Sequence, residues 1–308
     1  MSSESTPLRV GFVPEHFSTP LHFAKKYFGL TAELIPYPSG TGHMITSLRS
    51  GEIDVGIGLT EGWVAGLGKE DLEGDGGYKI VGTYVETPLC WAVSTGAKRD
   101  INSIADLKKG KIGVSRIGSG SYVMGFVLAD QQGWLEPGSK PFEFVPVQTF
   151  ERLRKAVNDG EADFFMWEHF TSKRYYDNGE IKRIGEIYTP WRSWLITAST
   201  KLVPGGNPDK RLAQLFKKID QGVQYFGKHQ EEAVEYISTE LDYSKEDATE
   251  WLKTVRFSTN VEGVDISVVQ ETVDVLKKAG VLGEKGMTAQ EMIGGELAAQ
   301  FPGPFPKS

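Results

Sequence analysis

The 308 residues predict an α/β protein of two lobes, each a mostly parallel sheet flanked by helices. Three observations carry that prediction. A strand–helix–strand–helix–strand series occurs twice, the two series end almost identically, and the chain is longer than one hydrophobic core usually serves.

The first series opens with the strand Arg9-Val-Gly-Phe-Val13 and the loop Pro14-Glu-His-Phe-Ser-Thr19. Thr19 reads as an N-cap and Pro20 as the first helical residue. Leu21, Phe23, Ala24, Tyr27 and Phe28 then recur at helical spacing. A strand from Glu33 to Tyr37 follows, then a helix from Thr41 to Arg49 that Gly51 stops, then the strand Ile53-Asp-Val-Gly-Ile57. The second series opens with Lys111-Ile-Gly-Val-Ser115 and the glycine-rich loop Arg116-Ile-Gly-Ser-Gly-Ser121. A helix carries Val123, Phe126, Val127 and Ala129 on one face and ends at Gly133. The strand Phe142 to Val147, a helix Phe150 to Asn158 capped by Thr149 and stopped by Gly160, and the strand Ala162-Asp-Phe-Phe-Met166 complete it.

The endings Ser50-Gly-Glu-Ile-Asp54 and Asp159-Gly-Glu-Ala-Asp163 mark a repeat rather than two unrelated α/β units. Ligands of open α/β sheets bind beyond the carboxyl ends of the strands. That rule selects the loops Pro14–Thr19, Ser39–His43, Leu59–Trp63, Ser115–Ser121 and Trp167–Phe170.

Downstream, Pro208 to Phe226, Glu231 to Leu241, Ser244 to Val255 and Ile266 to Ala279 read as amphipathic helices, and Phe301-Pro-Gly-Pro-Phe-Pro306 as a non-helical tail. A net charge of −7 and a pI of about 5.4 argue against a broad surface for nucleic-acid phosphates. No apolar run is long enough to span a membrane. Cys90 is the lone cysteine, so no intramolecular disulfide forms. Met1 to Arg9 lacks the basic region and apolar core of a signal peptide, which predicts a cytoplasmic protein; removal of a leader would make it periplasmic or extracellular. The five histidines show no H-x-x-H or H-x-x-x-H pairing, so no metal and no cofactor are expected.

In Ser47-Leu-Arg-Ser-Gly-Glu-Ile-Asp54, Ile104-Ala-Asp-Leu-Lys-Lys-Gly-Lys-Ile-Gly-Val114 and Val157-Asn-Asp-Gly-Glu-Ala-Asp163 with Trp167-Glu168, the chain resembles the type 2 periplasmic-binding-protein superfamily. The resemblance is to the branch of sulfonate–nitrate and thiamine-pyrimidine binding proteins, and it spans roughly Arg9 to Leu202. It implies that residues 1–92 with 196–308 form lobe 1 and 93–195 form lobe 2, with hinge crossings near 89–93 and 194–199 and C-terminal helices mainly on lobe 1. It further implies closure of the lobes around a ligand.

Several residues stand in the selected loops. Arg116, Ser119, Gly120 and Ser121 can present backbone N–H groups and a helix N-terminus to an anion, or form a plain tight turn. Ser39, Gly40 and Thr41 form the matching loop of lobe 1, readable equally as a capping turn. Trp167 can stack on a flat ring while Glu168 accepts from an amine or ring N–H; a core tryptophan beside a solvated glutamate is the alternative. Glu15, His16 and Phe17 can face them, Thr60 and Glu61 extend the wall, and Trp191 flanks the cleft or packs on the hinge.

These features predict a protein that binds a small anionic or nitrogen-heterocyclic molecule, such as a thiamine-pyrimidine precursor. The alternatives are an enzyme on the same fold, of thiamine-pyrimidine or menaquinone-pathway type, with His16 as proton carrier, or a ligand sensor. The enzyme that makes the thiamine pyrimidine with iron carries a cysteine-rich motif that Cys90 alone does not supply. A transporter partner is expected only if the chain is exported.

Overall fold

A computed structural model describes residues 6–294. The predicted repeat forms two five-stranded sheets built on one plan. In the first, β1 (Arg9–Phe12) lies between β2 (Glu33–Pro36) and β3 (Val55–Leu59), parallel to both. β10 (Trp194–Ser199) runs antiparallel between β3 and the edge strand β4 (Tyr78–Val85). In the second, β6 (Lys111–Val114) lies between β7 (Glu143–Pro146) and β8 (Phe164–Glu168), parallel to both. β5 (Cys90–Gly96) runs antiparallel between β8 and the edge strand β9 (Ile181–Tyr188). Each sheet is therefore mixed: three parallel strands from the repeat, plus an antiparallel pair containing a strand that the chain enters on crossing from the other sheet. The crossings, 86–89 and 189–193, lie side by side. The Thr189 N–H donates to the Leu89 carbonyl (3.0 Å), and the Ser193 hydroxyl to the Thr87 carbonyl (2.7 Å).

The matched endings have one physical role in both lobes. Gly51 (φ 77°) and Gly160 (φ 79°) end α2 (Thr41–Ser50) and α5 (Phe150–Asp159) in the left-handed conformation that glycine adopts without steric cost. Three residues later, the carboxylates of Asp54 and Asp163 accept from the backbone N–H that opens the neighbouring strand, at Arg9 and Lys111, each at 2.8 Å. A guanidinium completes each pair: Arg9 on Asp54 (2.8 Å) and Arg99 on Asp163 (2.7 Å). The repeat thus fastens its third strand to its first by the same charged clasp in each half.

The helix starts differ in detail from the sequence reading. His16–Ser18 forms a 3-10 turn, so α1 (Thr19–Phe28) begins one residue early, with Ser18 rather than Thr19 at the cap position. Ser119 caps α4 (Gly120–Gln131), accepting from the Tyr122 N–H. Thr149 caps α5 as expected. Two helices lacked an apolar stripe: α3 (Thr60–Leu67), buried along its whole length, and α6 (His169–Asp177), where only Ser172 is buried.

The C-terminal block comprises α7 (Lys210–Lys228), α8 (Gln230–Glu240), α9 (Lys245–Leu252), α10 (Ile266–Lys278) and the short α11 (Ala289–Met292). α7 packs on α1 where Gly222 abuts the Pro20 carbonyl; a Cβ there would come within 2.1 Å of that oxygen. Phe257, Gly263 and Ile293 bridge to Val85, Gly82 and Ile80 and so cover the edge of β4. The block also reaches the second lobe, through Tyr243 to Thr171 (2.9 Å) and Lys278 to Asp130 (2.9 Å). The predicted tail, 301–306, lies outside the described residues.

Candidate functional site

A narrow cavity opens between the lobes, beyond the carboxyl ends of the parallel strands. Lobe 1 contributes Val13, Glu15, Ser39, Gly40, Thr41, Leu59 and Trp194; lobe 2 and the crossing contribute Leu89, Trp91, Ser115, Ser119, Gly120, Ser121, Trp167 and Glu168. The lobes touch across it. The Trp167 indole N–H donates to Glu15 Oε1 (3.3 Å), and Gly120 lies against Leu59, where a Cβ would come within 2.8 Å of Leu59 Cδ1.

The polar groups are held by local structure. Glu168 ends β8 and caps α6, its carboxylate accepting from the Thr171 N–H (2.7 Å). His16 Nε2 stands 3.5 Å from Glu168 Oε2, an ion-pair distance without hydrogen-bond geometry. Burial pushes the Glu168 carboxyl up, but the His16 ring and the N–H groups of Thr171 and Phe170 outweigh that and hold it below its usual range. Glu15 has the opposite fate: burial, reinforced by the Glu168 charge, pushes it up to about 8. At neutral pH the pair therefore presents one carboxylate and one protonated carboxyl group.

The wall beside α4 is built of hydroxyls. Ser121 Oγ accepts from the Ser115 N–H (3.0 Å) and lies 3.0 Å from Ser119 Oγ, which donates to the Arg116 carbonyl (2.8 Å). Opposite, Thr41 Oγ1 accepts from the Leu59 N–H (2.9 Å). The Trp167 ring is steadied by stacking on Phe150, 5.3 Å between centroids. Trp91 and Trp194 line the cavity with rings whose indole N–H groups are buried without a hydrogen-bond partner.

The structure brings nine of the sequence-predicted residues to the cavity: Glu15, Ser39, Gly40, Thr41, Ser119, Gly120, Ser121, Trp167 and Glu168. It places six elsewhere. His16 is fully buried behind the wall, its ring 4.2 to 4.5 Å from those of Phe17, Tyr243 and Trp251. Phe17 packs in the same aromatic cluster, 5.0 Å from Trp194. Glu61 and Trp191 meet each other in the interior (3.0 Å), and burial pushes Glu61 up to about 7. Thr60 donates its hydroxyl to the Arg192 carbonyl. Arg116 contributes its backbone carbonyl to the serine cluster, but the residue does not line the cavity. Among the described residues no lysine or arginine lines it at all. Trp91, Trp194 and Leu89 were missed because they sit on or beside the crossings, where apolar strand residues read as core. Their position at the carboxyl-end side of both sheets was the available signal.

A family profile described as Ca3427-like PBP matches residues 91–187. The chain is 41% identical to the conserved Candida albicans CA3427 gene product, which defines a family exhibiting the generic periplasmic binding protein fold. That match covers 97% of this chain and 99% of the other, with a TM-score of 0.85. It is similar in fold to the alkanesulfonate-binding protein SsuA of Xanthomonas axonopodis pv. citri bound to MOPS (16% identity, 94% and 99% covered, TM-score 0.72). A like similarity holds to the periplasmic aliphatic sulphonate binding protein SsuA of Escherichia coli (15% identity, 94% and 98% covered, TM-score 0.65). No curated protein matches the chain. The two sheets and their order are those of a two-lobed periplasmic-binding-protein fold.

Proposed function

Because the chain belongs to the family defined by the CA3427 product on the periplasmic-binding-protein fold, we propose that it binds one small polar organic molecule between its lobes. Its ligand on this reading is a flat nitrogen heterocycle with an N–H or amino edge, the chemistry of an aminopyrimidine. The observation that carries the reading is the cavity's polarity: an ionised Glu168 beside a protonated Glu15, walled by Trp91, Trp167 and Trp194, with no lining lysine or arginine among the described residues. The carboxylate accepts from an N–H edge. The Glu15 carboxyl, the serine hydroxyls and the unpaired indole N–H groups supply donors for the ring's acceptors. The indoles supply stacking surface. A sulfonate would meet the Glu168 carboxylate with no lysine or arginine among the described residues lining the cavity to pair with it, so the heterocycle is preferred to the anion.

Binding without turnover is the preferred activity. A general base must reach the reacting atom within about 3 Å or through one water, and His16 is enclosed by aromatic rings.

The test is native mass spectrometry of freshly purified protein, followed by thermal shift against aminopyrimidines, taurine-like sulfonates and small carboxylates. A bound or stabilising aminopyrimidine, recovered unchanged after long incubation, is the expected result. Stabilisation by sulfonates alone would overturn the ligand class, and a converted ligand would overturn simple binding.

A further inference from the structure

One cluster of metal-ligating side chains stands apart from the cleft, and the pleat of the second sheet creates it. In the β5–β9 ladder, Cys90 pairs with Tyr188 and Ala92 with Glu186. Directly opposed residues point to the same side and alternate residues share it. Cys90 and Glu186 therefore share one face, while Trp91, which lines the cavity, projects from the other. His169 joins them from the first turn of α6. Donor atoms of the three half-buried residues lie within 4.8 Å of one another, with Cys90 Sγ 3.4 Å from Glu186 Oε2. The Nδ1 of His169 is buried with no hydrogen-bond partner, a cost that imidazole avoids when its nitrogens are ligated or bonded.

We propose that Cys90, His169 and Glu186 form a binding site for a single thiophilic divalent cation of the zinc type. The donor set is one sulfur, one imidazole nitrogen and one carboxylate oxygen. That set selects zinc-like ions over magnesium and calcium, which prefer oxygen ligands throughout. Zinc bonds of about 2.0–2.3 Å require donors roughly 3–4 Å apart, so the cluster needs only small side-chain adjustments to close on an ion. Three protein ligands leave a fourth tetrahedral position for water or an external group. Arg183 pairs with Glu186 and neighbours the site as its competing cation; an arriving ion must share or displace that contact. The sequence hid the cluster because its donors come from two strands and a helix nearly a hundred residues apart, with no short spacing motif to mark them.

The experiment uses the full chain, stripped with a chelator and titrated with Co2+ as a spectroscopic probe for Zn2+. The expected result is one Co2+ per chain, a thiolate-to-cobalt charge-transfer band, and loss of that band on adding Zn2+. Cys90→Ser should abolish the band and weaken Zn2+ binding by more than about 100-fold, and His169→Gln should weaken it by at least about 10-fold. Metal-free melting curves of both variants, matched to the unmodified chain, would show that the loss is local. Absence of a stoichiometric thiolate band in the unmodified chain would overturn the proposal, whatever the variants do. So would a band that survives Cys90→Ser. The outcome is independent of whether the cleft binds a heterocycle.

Discussion

The two lobes share a strand plan and a clasp, yet they meet the cleft with different chemistry. After the first strand, lobe 1 runs Pro14-Glu15-His16 into a tight 3-10 turn, whereas lobe 2 runs through Ser115 to Ser121 into a cluster of hydroxyls. After the third strand, each lobe places a buried glutamate at the head of a helix: Glu61 in α3, Glu168 ahead of α6. Trp191 seals Glu61 inside, while Glu168 remains on the cavity wall with His16 behind it. The repeat supplies a common frame, and differences at the strand ends give each wall its own polar groups: Glu15 and Thr41 on lobe 1, the serine hydroxyls and Glu168 on lobe 2.

The sharpest way to break that contrast is to neutralise both glutamates in turn. Glu168→Gln should weaken ligand binding by about 10- to 100-fold, the range of one lost charge-assisted hydrogen bond. Glu61→Gln should change it less than about 3-fold, because Glu61 serves packing with Trp191. Calorimetric titration of both variants decides it, and equal losses would erase the distinction between sealed and open carboxyl groups.

The clasps offer the complementary test, of sameness. Asp54→Asn and Asp163→Asn should each lower stability by about 1–2 kcal/mol in urea unfolding, since each carboxylate also holds a strand's first N–H but remains partly exposed. A large loss at one site with none at the other would show that the matched motif is not a matched support.

Closure can be probed at the facing helix starts. Gly120→Ala would drive its Cβ against Leu59 and Trp91 and should weaken binding about 10-fold. Gly42→Ala, whose Cβ would sit 3.7 Å from Ser119, should leave it within about 2-fold.

A further expected effect is one of pH. Burial raises Glu15 to about 8 from an unfolded value near 4.5. Its neutral form therefore contributes stability that is complete below about pH 4.5 and is lost as pH rises through 8. Melting temperature of the ligand-free chain should decline across that window, and Glu15→Gln should flatten the decline. An unaltered slope in the variant would remove Glu15 as its source.

Much of this is legible in the sequence. Apolar periodicity with glycine stops gave the two series, because helices and strands write their spacing directly into sequence. The Gly-Glu-x-Asp endings were visible as a repeat, but their role as strand clasps was not, since it depends on which strand lies alongside. Glycine- and serine-rich loops pointed to Ser119 and Ser121, and the pair Trp167-Glu168 to the opposite wall. His16 and Phe17 share Glu15's loop but not its place: in so tight a turn, adjacent side chains leave in different directions, so one reaches the cavity and two enter the core. At Arg116 the loop uses the backbone carbonyl, which accepts from Ser119, and the side chain does not line the cavity. α3 and α6 escaped because the first is buried on every side and the second on almost none, and neither writes a stripe.

The cover over β4 has a consequence for the chain as a polymer. The residues that shield this edge, Phe257, Gly263 and Ile293, all follow both sheets in sequence, so during synthesis the strand is finished long before its shield arrives. A chain shortened to end before Phe257 would present a bare row of backbone donors and acceptors to its siblings. Such a fragment should assemble into strand-paired aggregates, and light scattering would detect them.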